Sequence, residues 1–243
     1  MKKMFRKKTN IGETGDPEKE ELAEVQVESE LPASELKQED KEFESFFSEV
    51  LKKLPQKTSA SVLNAYDKSK EQAEKILDKS KNQFDGIFDE FLNGVDEEKR
   101  KICHKTVHAA SLTAAIIGCS PIPFSDAFLL VSVQLTMMSR LHKIFGQAWS
   151  ESLGKSLSRE LIVVGFGRAA VGNILKLVPA VGTVAGAAIN GAVASTITES
   201  LGWVTVKMLN DGEDIFDQAM SFKGQFDTLF KTLQNSNKSS NKK

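Results

Sequence analysis

Apolar residues change their spacing and density twice along this chain. Between about Lys41 and Asp96 they are sparse and periodic. Phe43, Phe46, Phe47, Val50, Leu51 and Leu54 recur at intervals of three and four, which places them on one face of a helix. Pro55 ends that run. Ser59 or Ser61 is placed to cap a second helix bearing Val62, Leu63, Tyr66, Ala73, Ile76 and Leu77. The pattern then continues through Phe84, Ile87, Phe88, Phe91 and Leu92 until Asn93-Gly94 stops it. These helices have a thin apolar stripe and a wide charged face, as expected for bundle-surface helices or for a coiled-coil-like partner surface. No strict heptad persists, which favours packing within a bundle.

From about residue 97 the apolar positions become nearly continuous. Between Thr106 and Ser139 the only formally charged residue is Asp126, a stretch roughly twice a minimal membrane-spanning length. Pro121 and Pro123 force Ser120 and Ile122 out of the helical region, so two helices joined by an extended turn are expected, not one. The first spans about Glu97 to Gly118; the second starts near Ser125 or Asp126 and ends near Gly146. A second low-charge zone follows, interrupted by Arg168, and Leu177 to Thr198 holds no charge. Pro179 marks a helix junction there, and Gly182 with Gly186 forms a GxxxG pair that lets helix backbones approach closely in lipid or in water. A last amphipathic helix is read over Ile215, Phe216, Ala219, Phe222, Phe226, Leu229, Phe230 and Leu233, facing the earlier Phe-bearing helices.

The predicted architecture is therefore all-α: a helical bundle with two apolar Gly/Ala-rich hairpins. Residues 41–96 supply amphipathic helices and 97–233 the apolar domain with its C-terminal helix. Residues 1–40 read as a disordered acidic arm, because their Glu-rich, core-poor composition cannot offset the entropy of ordering. The polar segment 234–243 reads as a frayed tail. The first eight residues, MKKMFRKK, are basic without a following apolar run, so they are not a secretory signal; they are a solvated end or a contact for anionic lipid. The formal net charge is -1, which gives no basic footprint for nucleic acid. Two cysteines exclude a disulfide scaffold.

Motifs with catalytic overtones lose their meaning in context. LIVVGFGRAA ends like a dinucleotide-binding turn, but Asn190 stands where the ribose-binding acid would, and the next acid is Glu199. Gly154-Lys155-Ser156 ends like a phosphate loop, yet Trp149 replaces the Gly that should open it. The chain is thus not itself a GTPase. His104 and His108 stand four apart beside Cys103, offering two ligands without a third nearby; they read as the polar flank of a buried helix, and Cys119 as a small core filler. Asp126 has three readings: an N-cap, an ion pair with Arg140 or Arg168, or a proton-linked functional site. No catalytic, cofactor-binding or metal-ligating residue is assigned.

SPIPFSDAFLLVSVQLTMMSRLHKIFG, followed by FGRAAVGNILKLVPAVGTVAGAAINGAVASTITESLGW, resembles the bacterial domain-of-unknown-function family 697 over roughly His104 to Met208. The resemblance rests on Pro121, Pro123 and Asp126, Gln134 to Met138, Gly167-Arg168, Lys176, Pro179, the Gly182/Gly186 run and Leu201-Gly202. It implies a helical, membrane-associated domain that often follows an Era-like GTPase domain or is encoded beside one, with no established activity. Here the acidic arm and Phe-bearing helices stand where the GTPase would, so a small GTPase could act only in trans. The expected function is a non-enzymatic, membrane-associated helical module, a possible homo-oligomer, on the cytoplasmic side of the bacterial membrane. In that setting Lys143, Lys155 and Lys176 would face the cytoplasm. The alternative is a soluble, cytoplasmic helical scaffold whose Gly/Ala-rich segments form its own core. An enzyme built around Asp126 is a third, weaker reading.

Overall fold

In the computed structural model, residues 33–120, 127–150, 152, 154 and 186–240 are described. They form seven helices and no strand: α1 (Ala33–Lys53), α2 (Gln56–Asn64), α3 (Tyr66–Phe91), α4 (Glu97–Cys119), α5 (Ala127–Ile144), α6 (Gly186–Asn210) and α7 (Ala219–Ser240). The all-α expectation holds among the described residues.

Local chemistry explains most boundaries. Asp96 caps α4 by accepting from the Lys99 backbone N–H at 2.9 Å, and Glu97 and Glu98 complement the positive end of the helix. Ser120 ends α4 in an extended conformation, as the residue before a proline should, and its hydroxyl donates to the Ile116 carbonyl at 2.7 Å. Gly94 turns the chain between α3 and α4 with φ of 87°, a conformation glycine reaches without strain.

Four boundaries differ from the sequence pattern. Helix α1 begins at Ala33, inside the span assigned to the acidic arm. Its first turns are tied to α4, with the Lys105 ammonium donating to Gln38 at 2.5 Å. Neither Ser59 nor Ser61 caps α2. Pro55 occupies the cap position, and Ser59 instead donates back to the Leu51 carbonyl at 2.9 Å, holding α2 against the end of α1. The chain breaks again at Ala65, and then α3 runs through Asn82 without interruption. Finally, α7 starts at Ala219, after a turn in which Asp214 accepts from the Phe216 and Asp217 N–H groups, and continues past Leu233 into the segment read as a tail.

The core is layered around α4, which touches α1, α3, α5 and α6. Every residue of α4 from Ala109 to Cys119 is buried. In α6, from Gly191 to Leu209, only Glu199 and Lys207 are not. Such all-round burial needs cover on every side, and the amphipathic helices provide it. Phe43, Phe46, Phe47 and Val50 of α1, Phe84 and Phe88 of α3, and Phe222 and Phe226 of α7 turn inward. Helix α7 packs mainly on α6 and makes a smaller contact with α3, so it meets the Phe-bearing N-terminal region chiefly there. Helices α4 and α5 pack together as the first apolar hairpin; of the second, α6 is described and its neighbour lies outside the described residues.

Candidate functional site

The centre of the molecule is the contact between α4 and α6, and small residues make it. A Cβ placed on Gly118 would lie 2.8 Å from the Asn190 carbonyl oxygen and the Gly191 Cα, so here two backbones touch. A Cβ on Gly202 would lie 2.9 Å from Val107 and 3.0 Å from the Met137 sulfur. Gly118 meeting Asn190 while Gly202 meets Val107 makes the pair antiparallel. The hydroxyls along it are mostly satisfied within their own helices. Thr113 donates to Ala109 O at 2.8 Å, Ser200 to Thr196 O at 2.8 Å and Thr205 to Leu201 O at 2.7 Å. Helices whose polar side chains are satisfied in this way can be surrounded by apolar groups of any origin, protein or lipid.

Helix α1 covers one side of this pair, and its flanks are polar. Arg140 of α5 is the hub. Its Nη1 donates to Glu42 at 2.7 Å, its Nη2 to Glu49 at 2.8 Å and to Ser45 at 3.2 Å, and its Nε to Glu49 at 3.1 Å. The guanidinium also lies over the Phe46 ring, 5.1 Å from its centroid. Glu42 accepts a further bond from Thr106, and Lys53 bridges Glu49 and Thr136 at 2.9 and 3.0 Å. Burial acts to raise the Glu49 pKa, but the hydrogen bonds from Lys53 and Arg140 outweigh it and hold the carboxyl below its usual value. Burial likewise acts to lower the Arg140 pKa, and the bonds to Glu49 and Glu42 reverse the sign. Asp126, one partner suggested for Arg140 by the sequence, lies outside the described residues; among the described ones two carboxylates of α1 hold the guanidinium. The separation in sequence hid this clasp, although Glu42 and Glu49 stand seven apart, flanking Phe46 on one face.

Burial works against charge on the cysteines and histidines of the core. Burial pushes the Cys103 thiol up to about 12 and the Cys119 thiol to about 11, so neither is a nucleophile near neutrality. His104 and His108 stack with ring centroids 5.9 Å apart, and His104 also meets Trp203 at 6.0 Å. Burial, then the neighbouring His108, lowers the His104 pKa; 43% of its side chain still meets solvent and Glu39 stands 3.7 Å from Nδ1, which together offset part of that effect. Burial also lowers His108, against Glu39 on α1. His142 is buried with Nδ1 donating to the Met138 carbonyl at 2.8 Å, in an aromatic nest with Trp149 and Phe216. Among the described residues no group of three His, Cys, Asp or Glu side chains is arranged to hold a metal ion.

Of the residues singled out from the sequence, Pro121, Pro123, Asp126, Arg168, Pro179 and Gly182 lie outside the described residues. Gly186 is described, while Gly182 and the segment that would pack against the pair lie outside the described residues. Gly186 is exposed at the start of α6, and no described atom lies within 4 Å of where its Cβ would be. Between α4 and α6 the close approaches fall at Gly118, Gly191 and Gly202, because the face of α6 that turns toward α4 is set by its neighbours. No described helix is long and apolar enough to cross a membrane.

Residues 82–235 match the model of the family described as Domain of unknown function (DUF697), and the chain belongs to that family. Helices α1, α2 and most of α3 precede the matched region. A curated relative, Magnetosome membrane protein 22 of Magnetospirillum gryphiswaldense, is 35% identical over 112 residues, 44% of this chain and 56% of that protein. The chain thus aligns with about half the length of that relative. No solved structure matches the chain.

Proposed function

We propose that this member of the family is a membrane-associated helical module that works without catalysis of its own, on the cytoplasmic side of a bacterial membrane. The observation that carries the reading is the buried α4–α6 pair, an apolar, small-residue seam in which Thr113, Ser200 and Thr205 bond within their own helices while Ser111 and Thr198 are left without a partner among the described residues, in a chain similar to a protein named for a membrane. The protonated thiols of Cys103 and Cys119 fit a non-enzymatic role. Membrane lipid is the first proposed partner. A small GTPase acting in trans is the second, supported by the family resemblance and by the unsuitability of Gly154-Lys155-Ser156 as a phosphate loop. A second copy of the chain is a third.

The deciding experiment is fractionation. Protein expressed at low level should sediment with membranes and remain after a high-salt wash and a carbonate wash, since salt removes only electrostatic attachment. Recovery of a monodisperse, lipid-free species from the soluble fraction favours the second reading, a helical scaffold. That reading has its own observation: α1, α3 and α7 already cover the apolar pair. The GTPase proposal requires co-purification that differs between GTP-loaded and GDP-loaded states; equal capture in both rejects it.

A further inference from the structure

We infer that the face of α4 and α5 beneath α1 is a docking surface for an anionic bilayer, and that α1 is its displaceable cover. This inference rests on the membrane reading above and adds the surface and the device that hides it. The argument starts from what α1 leaves behind. Its underside, Phe43, Phe46, Phe47 and Val50, covers the alanine-rich stretch of α4. Its flanks place two carboxylates, Glu42 and Glu49, on the Arg140 cation of the core, and a third, Glu39, beside the neutral His104 ring. Gln38 meets Lys105 at the same edge. With α1 removed, an apolar strip remains, rimmed by the cations Arg140 and Lys105. Apolar area bordered by cations is the surface that binds membranes bearing anionic headgroups. The α1 carboxylates therefore occupy positions that lipid phosphates would take, and the α1 phenylalanines those of acyl chains.

Two further features point to α1 as the movable part. It precedes the family-matched region, whereas α4 and α5, which it covers, lie within it. It is also joined to the rest of the described core through a short Pro55 connection; it packs mainly on α4 and α5, with Phe43 and Phe47 reaching Lys70 and Tyr66 at the start of α3. Its ionic ties are partly exposed, with 21% of the Arg140 side chain and 40% of the Glu49 side chain meeting solvent. Headgroups can therefore compete for Arg140 before α1 leaves.

The test uses the full chain and vesicles of phosphatidylglycerol and phosphatidylethanolamine. Flotation measures partition, and hydrogen exchange reports whether α1 is docked. Glu42→Gln with Glu49→Gln should raise partition about tenfold over the parent. Ser45→Cys with Arg140→Cys, joined by a flexible bis-maleimide, should lower partition below the same variant left unlinked, a comparison in which the loss of Arg140 cancels; the buried Cys103 and Cys119 are poor targets for the reagent. Parent protein on vesicles should lose exchange protection in α1 while α4 and α6 stay protected. Parent that floats with α1 still protected, or a cross-linked form that floats as well as its unlinked counterpart, overturns the cover and leaves the membrane reading standing. Failure of every form to float, on anionic or neutral vesicles, overturns both. The parent exchange experiment needs no substitution and so decides the matter even where a variant fails to fold.

Discussion

The α4–α6 seam and the α1 cover are both buried, yet they are held by different physics. At one end of the seam backbone meets backbone, where Gly118 touches Gly191; at the other, Gly202 gives room for the Val107 and Met137 side chains. Its stability comes from close packing, which salt and pH barely alter. The α1 contact is side chain against surface, with large phenylalanines beneath and ion pairs at the edges. Charged ties respond to salt and protons. One region is therefore built to stay together, and the other to respond to its surroundings.

The largest expected effect separates the two by removing the underside of α1. Phe46 is fully buried, so Phe46→Ala should cost about 3–5 kcal/mol of α1 docking. Hydrogen exchange should show α1 amides released while α4 amides remain protected; uniform loss across both would merge the two regions into one cooperative unit. Next, Gly118→Ala places a methyl against the Asn190 backbone and should lower stability by about 1–3 kcal/mol. Here the melting transition should shift as a whole, and an unshifted melt would mean that the helices do not touch at this level.

Arg140→Ala should have a smaller effect, about 1 kcal/mol, because the pair is partly solvated. The difference from the parent should shrink in molar salt, whereas the Gly118→Ala difference should not. A smaller effect still comes from protons. His104 and His108 have lowered pKa values in the folded chain, so the unfolded chain binds protons more readily. Stability from these groups is complete above the ordinary histidine value of 6.5 and is lost as pH falls below it. A His104→Gln/His108→Gln variant should flatten the melting-temperature profile in that range; a slope equal to the parent's would assign it to carboxylates. Gly186→Ala should change the melting temperature least, within about 0.5 kcal/mol, since its surroundings among the described residues are open.

Much of this architecture was legible in residue order. The interruption at Pro55, the stop at Asn93-Gly94, the separation of α4 from α5 at the prolines and the inward Phe faces all follow from local preference and helical period. These are decided within a few residues, where φ restriction and side-chain spacing act. The start of α1 at Ala33 was not legible, because an acidic sequence becomes helical there through contacts with Lys105 and Arg140, 67 and 98 positions from their partners. The same limit applies to the seam. Sequence shows that Gly118, Gly186, Gly191 and Gly202 lack side chains, but not which of them faces a neighbour. That depends on how α6 is rotated against α4, and the rotation is set by the surrounding helices. Period and composition, being local, determined the helices and their apolar faces; which glycine touches a backbone and which carboxylate meets Arg140 were decided only when distant segments packed together.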